Sequence, residues 1–422
     1  MLGLLLLVPW AYRRIARGPT EPKANVVRVA LIIYLISVLV SYLVAVIRPI
    51  NGTELNAADR GVLSTLAWTG ILLTALDAPR TLGQLDTILR RFVIAGAVEA
   101  AVGITQFVTK QTLVNYIQIP GLTLSQDLYG VALRGTQARP PGTTTHPIEF
   151  GSVLTIVLPF ALHYAVTDTH RGRLARWLPA ALIAFAIPIS VSRSAVLSTA
   201  VSLIVLIPFW PRATRRRAYA GIALALGAVY MLVPGLLGTF RNLITGVESD
   251  PSANSRVDSF GLAWEFIKRD PIFGRGYATF LPDYRILDNQ ILGTLIDTGI
   301  VGLIALLVLF VAPAWGVLRL RRTATTSQVR QLAPAFVASI AGVLVSYPFW
   351  DALGFTTATS FLFMTLGFAG ALVRLSRAES GNVLRPDCVP SAHVPKVSDA
   401  QSTERTPPAG RSVTHDHSPG TA

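Results

Sequence analysis

Residues 286–303 read ILDNQILGTLIDTGIVGL, a passage from water into oil within a few positions. Asp288, Asn289 and Gln290 stand together, and from Ile291 to Pro313 the chain is apolar apart from Asp297 and two threonines. A run of about 20 apolar residues is what a helix needs to cross the hydrocarbon core. The fifty residues before it, about 241–290, are the longest water-compatible segment among the apolar runs. That contrast decides the fold class.

Similar runs recur outward from it, at about 26–48, 61–78, 92–108, 147–167, 177–190, 194–210, 218–237, 331–347 and 354–373, with this one at 292–313. Hydrophobic residues make up 51% of the chain and charged ones 14%, too little polar surface for a soluble domain of this length. The runs are unbroken rather than alternating, so they predict helices and not barrel strands. The expected fold is an all-α polytopic membrane protein of about 10–12 transmembrane helices. Its membrane domain spans 1–373, with a large extracytoplasmic loop at 238–291. From about Glu379 the chain turns to Pro, Ser, Thr, His and charge without periodicity, which predicts a disordered cytoplasmic tail over 374–422.

Arg-rich turns at 12–28, 80–91, 171–176, 212–217, 319–330 and from 374 onward fall in every second loop. The positive-inside rule places them in the cytoplasm, leaving 49–60, 109–146, 190–193, 238–291 and 348–353 outside. Met1 then lies outside, and MLGLLLLVPWAY is too short to span; a late start or the remnant of a full span is expected there. The net charge of +14 sits in short clusters between spans without interleaved aromatics, which argues against nucleic acid. The single cysteine, Cys388, is in the tail, excluding disulfides and cysteine metal sites. Neither a phosphate-binding loop nor an outward Asp-x-Asp or Glu-x-x-His pattern occurs, so neither ATP nor a metal is expected. The excess of Arg over Lys and the abundant Ala suggest a high-GC bacterial source.

Several constellations could carry chemistry. In SVSRSAVLS (190–198), Arg193 occupies a tight outward turn with Ser190, Ser192 and Ser194. Charge is costly at such a place, and an anion-binding turn competes with simple snorkelling to headgroups. In SANSRVDSFGLAWEFIKRDP (252–271), Ser255-x-x-Asp258 has capping-box form and predicts a helix from Arg256 to about Arg269. Arg256, Phe260, Trp264 and Ile267 then share its apolar face, and an Arg in a first turn suits an anion held by free N–H groups. The competing reading is a salt bridge to Asp250, Asp258 or another acid of the loop. FGRGYATF (273–280) sets Arg275 between two glycines. Asp288 reads either as a general base near a hydrophobic boundary or as an N-cap. His146, in ARPPGTTTHPIEFG (138–151), is the outward-facing histidine.

Taken in this order, RPPGTTTHP (139–147), the SRS turn (192–194), the Arg256–Gly276 run with Trp264 and Pro271, and the DNQ–LIDTGIVGL segment resemble the O-antigen ligase/polysaccharide polymerase family (Wzy-type). The resemblance is strongest over about 130–310. It implies a GT-C-like, inverting, metal-independent glycosyltransferase without cofactor in a bacterial inner membrane, its site facing outside the cytoplasm. The implied donor is a polyprenyl-diphosphate-linked glycan and the acceptor another glycan, with membrane lipids around the site and a chain-length regulator as a possible partner. By motif, Arg193 and Arg256 would hold the diphosphate, and Arg139, His146, Ser192, Arg275, Asn289 and Gln290 would line the substrate site. Many family members carry His-Asn where this chain has Asp288-Asn289, so the base is either Asp288 or His146. Two alternatives stand beside this reading: a lipid-linked glycan flippase or other transporter, and a rod-shape/division-type peptidoglycan polymerase. The scarcity of charge inside the spans disfavours the transporter.

Overall fold

The computed structural model describes residues 2–16, 25–112, 131–134, 137–232, 251–324 and 326–383. They form α1 (Leu2–Ala16), α2 (Val26–Ile47), α3 (Gly52–Asp77), α4 (Leu82–Thr109), α5 (Pro147–Thr167), α6 (Arg173–Ile189), α7 (Arg193–Leu206), α8 (Arg212–Leu232), α9 (Pro251–Arg269), α10 (Gln290–Thr323), α11 (Ser327–Ser346) and α12 (Thr356–Val383). The one sheet among the described residues is a ribbon of β1 (Ala132–Arg134) and β2 (Gln137–Arg139), antiparallel with Leu133 opposite Ala138. The protein is an all-α polytopic membrane protein, as the apolar runs require.

Six of the described helices are long and apolar enough to cross a membrane: Val26–Ile47, Leu82–Thr109, Pro147–Thr167, Gln290–Thr323, Ser327–Phe349 and Thr356–Glu379. The other expected spans fall on helices that, among the described residues, are shorter or more polar. α3 opens on the polar GTELNAADR, α6 has 17 residues with two internal prolines, and α7 has 14. α8 begins with an arginine cluster, and the end of its expected span, 233–237, lies outside the described residues.

Residues Met1–Ser380 form one compact unit. α5 is its most enclosed helix, with Phe150, Leu154, Val157 and Phe160 fully buried. Phe160 meets Phe336 of α11 edge-on at 4.8 Å. Lipid tails are as apolar as leucine, so such helices associate through small residues and polar contacts. Ser339 Oγ donates to the Ile156 carbonyl (2.8 Å), and Ser202 Oγ to that of Ala338 (2.9 Å). α12 runs to Val383 rather than stopping near 373. The rest of the tail expected to be disordered lies outside the described residues.

α10 departs most from the sequence expectation. It is not continuous: Gly299, at φ 64°, breaks it, and a side chain there would collide with the Ile272 carbonyl. The turn after α9 fills the break. Ile296 and Asp297 offer carbonyls to the N–H groups of Arg275 (2.8 Å) and Gly276 (3.0 Å). On the other side, Ile300 and Val301 donate to the carbonyls of Pro271 (2.9 Å) and Ile272 (3.2 Å). Backbone groups freed at the break therefore find partners in this turn, which a segment at membrane depth demands.

Candidate functional site

The 140–146 segment is irregular backbone held by buried side chains of α4 and α5. Gly142, at φ 64°, exchanges two 2.8 Å hydrogen bonds with the Gln106 amide, and Thr143 donates to Glu99 through both N–H (2.9 Å) and hydroxyl. A Cβ on Gly142 would strike the Glu99 carboxylate, so this turn needs glycine. Glu149, wholly buried, accepts from Thr145 N–H (3.0 Å) and Oγ (2.9 Å), and its other oxygen accepts from the N–H groups of Thr357 (2.7 Å) and Ala358 (3.2 Å). One carboxylate thus ties the start of α5 to the first turn of α12.

This clamp fixes His146 as the N-cap of α5. Its Nδ1 accepts from Ile148 N–H at 3.1 Å, so the neutral ring carries its proton on Nε2. Burial, and then the neighbouring Arg139 charge, hold the imidazole below its ordinary pKa against the opposing pull of Glu149 and Asp288. His146 is therefore arranged as a neutral Nε2–H donor. The alternative in which it acts as base has no open lone pair to use in this form.

Arg139 Nε donates to the Ser190 carbonyl (3.3 Å), joining the clamped segment to the α6–α7 turn. There Val191 adopts φ 47°, an uncommon conformation for a β-branched residue and one that clusters at functional positions. Ser192 caps α7 by accepting from Ala195 N–H (3.4 Å) and shares a hydrogen bond with Ser194 Oγ (3.0 Å). Arg193, half-buried, is the first residue of α7, next to the positive end of that helix dipole.

At the start of α10 the N-cap is Asn289, not Asp288: its Oδ1 accepts from Ile291 (3.0 Å) and Leu292 (3.1 Å) N–H groups. Asp288 precedes the cap at φ 46°, a left-handed conformation that Asp tolerates, leaving its carboxylate free of capping duty. Gln290 is buried scaffold, its N–H bonded to the Trp350 carbonyl (3.0 Å) and its Oε1 to Leu353 N–H (2.7 Å). These bonds bring up the 347–355 loop, in which Phe355 stacks near His146 (5.6 Å) and Trp350 (5.3 Å). Asp351 of this loop is exposed, though protein packs densely around it. Burial, and then the charge of Asp288, raise its pKa.

Arg139, His146, Ser192, Arg193, Asp288, Asn289 and Gln290 thus sit on connected turns at one end of the bundle. Arg275 differs. Its guanidinium pairs with Glu54, which also binds Arg48 (3.2 Å) and the Tyr284 hydroxyl (2.8 Å), and it stacks over Phe266 and Tyr284. Arg275 joins the loop to α3. Arg256 lies on α9, but the helix starts at Pro251, which fits a first helical position, so Ser255 is not its cap and Arg256 is past the first turn. The free N–H groups invoked for an anion at Arg256 are therefore not beside it; its side chain lies outside the described residues. The buried face of α9 is also shifted: Ser259, Ala263 and Ile267 face inward, while Phe260 and Trp264 are exposed.

Residues 178–307 match the family model described as O-antigen ligase. Over this segment the chain is similar to the O-antigen ligases. No curated protein matches it. The O-antigen ligase match runs from α6 into α10 and contains Ser192, Arg193, Arg256, Arg275 and Asp288–Gln290. Arg139, His146, Glu149 and Asp351 fall outside the matched segment, although Arg139 bonds the Ser190 carbonyl within it and Gln290 within it bonds Trp350 and Leu353 on either side of Asp351. Glu149 and Asp351 were not singled out by sequence. Glu149 had a signal, the N-cap to N3 spacing His146-x-x-Glu149. Asp351 had a weaker one, as the lone carboxylate of a short loop.

Proposed function

We propose that this membrane protein is a glycosyltransferase that moves a glycan from a polyprenyl diphosphate to a hydroxyl of an acceptor glycan, on the outer face of a bacterial cytoplasmic membrane. The observation that carries the reading is the location of the O-antigen ligase match over the two turns, 190–193 and 286–290, that gather the polar side chains at one bundle end. A polyprenyl tail stays in the bilayer while its diphosphate reaches that end.

The reaction joins the acceptor oxygen to the anomeric carbon and breaks the bond from that carbon to the diphosphate oxygen, with inversion. The acceptor proton passes to the Asp288 carboxylate, which the Asn289 cap leaves available. The leaving diphosphate gains charge, and Arg193 at the N-terminus of α7 stabilises it together with Arg256. A positioned donor of this kind is worth about 10²–10³ in rate. His146 donates through Nε2–H to substrate oxygen, and Arg139 and Ser192 shape the turn that holds it. No divalent ion is required in this scheme.

Purified protein in lipid nanodiscs, given a polyprenyl-diphosphate oligosaccharide and an acceptor glycan, tests the proposal. Joined product that forms in the presence of EDTA supports it. Movement of the donor across vesicle membranes without any joining would instead identify a transporter.

A further inference from the structure

α9 has three distinct faces. Ser259, Ala263 and Ile267 pack inward, the apolar pair against Leu287, Leu292 and Ile296. On the next flank Phe260 and Trp264, one turn apart, are 52% and 56% exposed. The remaining flank carries exposed Glu265, Lys268 and Arg269, with the Lys268 ammonium 5.6 Å from the Trp264 ring. Just past the helix, Ile272 and Phe273 are 55% and 46% exposed. Large aromatics facing outward on a helix too polar to span require an apolar neighbour.

Backbone hydrogen bonds say which neighbour. Ile300 and Val301 bond to the carbonyls of Pro271 and Ile272, so the exposed Ile272–Phe273 pair lies beside the exposed Ile300, Val301 and Ile304 of α10. Those residues lie on α10 just beyond the Gly299 break, within the stretch long and apolar enough to cross a membrane. Exposed apolar side chains therefore continue from the span onto the turn and onto α9.

We propose that α9 is an interfacial helix, its Phe260, Trp264, Ile272 and Phe273 side chains seated among the headgroups and upper acyl chains of the adjoining leaflet. Trp favours that depth, and Lys268 and Arg269 stand at its rim where lipid phosphates lie. The turn seated in lipid is the one that completes the broken α10, so the bilayer surface supports the backbone that presents Asp288. The inference holds whatever reaction the site performs.

The test uses full-length protein carrying Cys388→Ser and one added cysteine, Trp264→Cys, Phe273→Cys or Glu265→Cys. Each is spin-labelled and reconstituted into vesicles of phosphatidylethanolamine and phosphatidylglycerol. The ratio of oxygen to nickel-chelate accessibility should be several-fold higher at 264 and 273 than at 265. A second measurement needs no label: brominated lipid should quench wild-type tryptophan emission more than that of Trp264→Phe. Equal accessibility ratios at 264, 273 and 265, or unchanged quenching in Trp264→Phe, would overturn the proposal and point to water or a protein partner on this face.

Discussion

Replacing Glu149 should destabilise the protein in a graded way that the hydrogen bonds dictate. Glu149→Ala removes the acceptor for Thr357 and Ala358, the second and third residues of α12, and leaves their N–H groups without their carboxylate partner. Each buried orphaned donor costs about 1–3 kcal/mol, and losing the carboxylate from a helix N-terminus adds up to about 1 kcal/mol. The total is about 2–7 kcal/mol. Glu149→Gln keeps one acceptor oxygen for α12 but turns an NH2 group toward Thr145, for a cost of about 1–2 kcal/mol. Thermal unfolding of purified protein in detergent should rank wild type above Gln above Ala, with the Ala midpoint lower by roughly 5–10 °C. Because the same carboxylate orders the His146 turn, glycan transfer should fall in the same rank. An Ala variant that unfolds at the wild-type temperature would refute the assignment of Glu149 as the joint between α5 and α12.

Other consequences are equally specific. Arg193→Ala should lower the transfer rate by about 10²–10³ with little change in unfolding temperature, and Arg193→Lys should recover part of it; full activity in the Ala variant would remove Arg193 from the site. His146→Asn keeps an acceptor at the Nδ1 position for Ile148 N–H but deletes the Nε2 donor, so steady-state kinetics should show lost turnover with the fold retained. The depressed His146 pKa also has a sign: below about pH 6.5 the unfolded chain takes up a proton that the folded one resists. Stability from this residue is complete above that pH and declines as pH falls, and His146→Asn should flatten the acid limb of the unfolding curve. Asn289→Ala should cost about 1 kcal/mol of stability and Asn289→Asp little, since only the latter can cap α10.

The parts legible in the sequence were those set by long patterns. Apolar runs such as 26–48 and 147–167 mark helices because crossing lipid demands length and continuity, and Val26–Ile47 and Pro147–Thr167 agree closely. Shorter apolar stretches on α6 and α7 are ambiguous for the same reason, since burial in a bundle and burial in lipid call for similar residues. Local chemistry was legible only in part. Ser192 and Asn289 announce caps by residue type, but the choice between Asp288 and Asn289 depends on backbone angles that no spacing encodes. The Gly299 break was hidden within an apolar run, because its compensation comes from residues 271–276, more than twenty positions earlier. Arg275 shows the same limit: its partner Glu54 is 221 residues away, so the sequence showed a charged turn without the acid that neutralises it. At α9 the capping-box spacing of Ser255 and Asp258 lost to Pro251, which begins the helix more than a turn earlier.

The most direct test of the central claim is single-turnover transfer from a polyprenyl-diphosphate oligosaccharide by purified wild-type and Asp288→Asn protein, followed together with release of the polyprenyl diphosphate. The account predicts that wild type forms joined glycan and releases polyprenyl diphosphate in equal amounts. The Asn variant should still bind donor but transfer it about 10²–10⁴-fold more slowly. Transfer by Asp288→Asn at the wild-type rate, or no joined product from the wild-type protein, would contradict it.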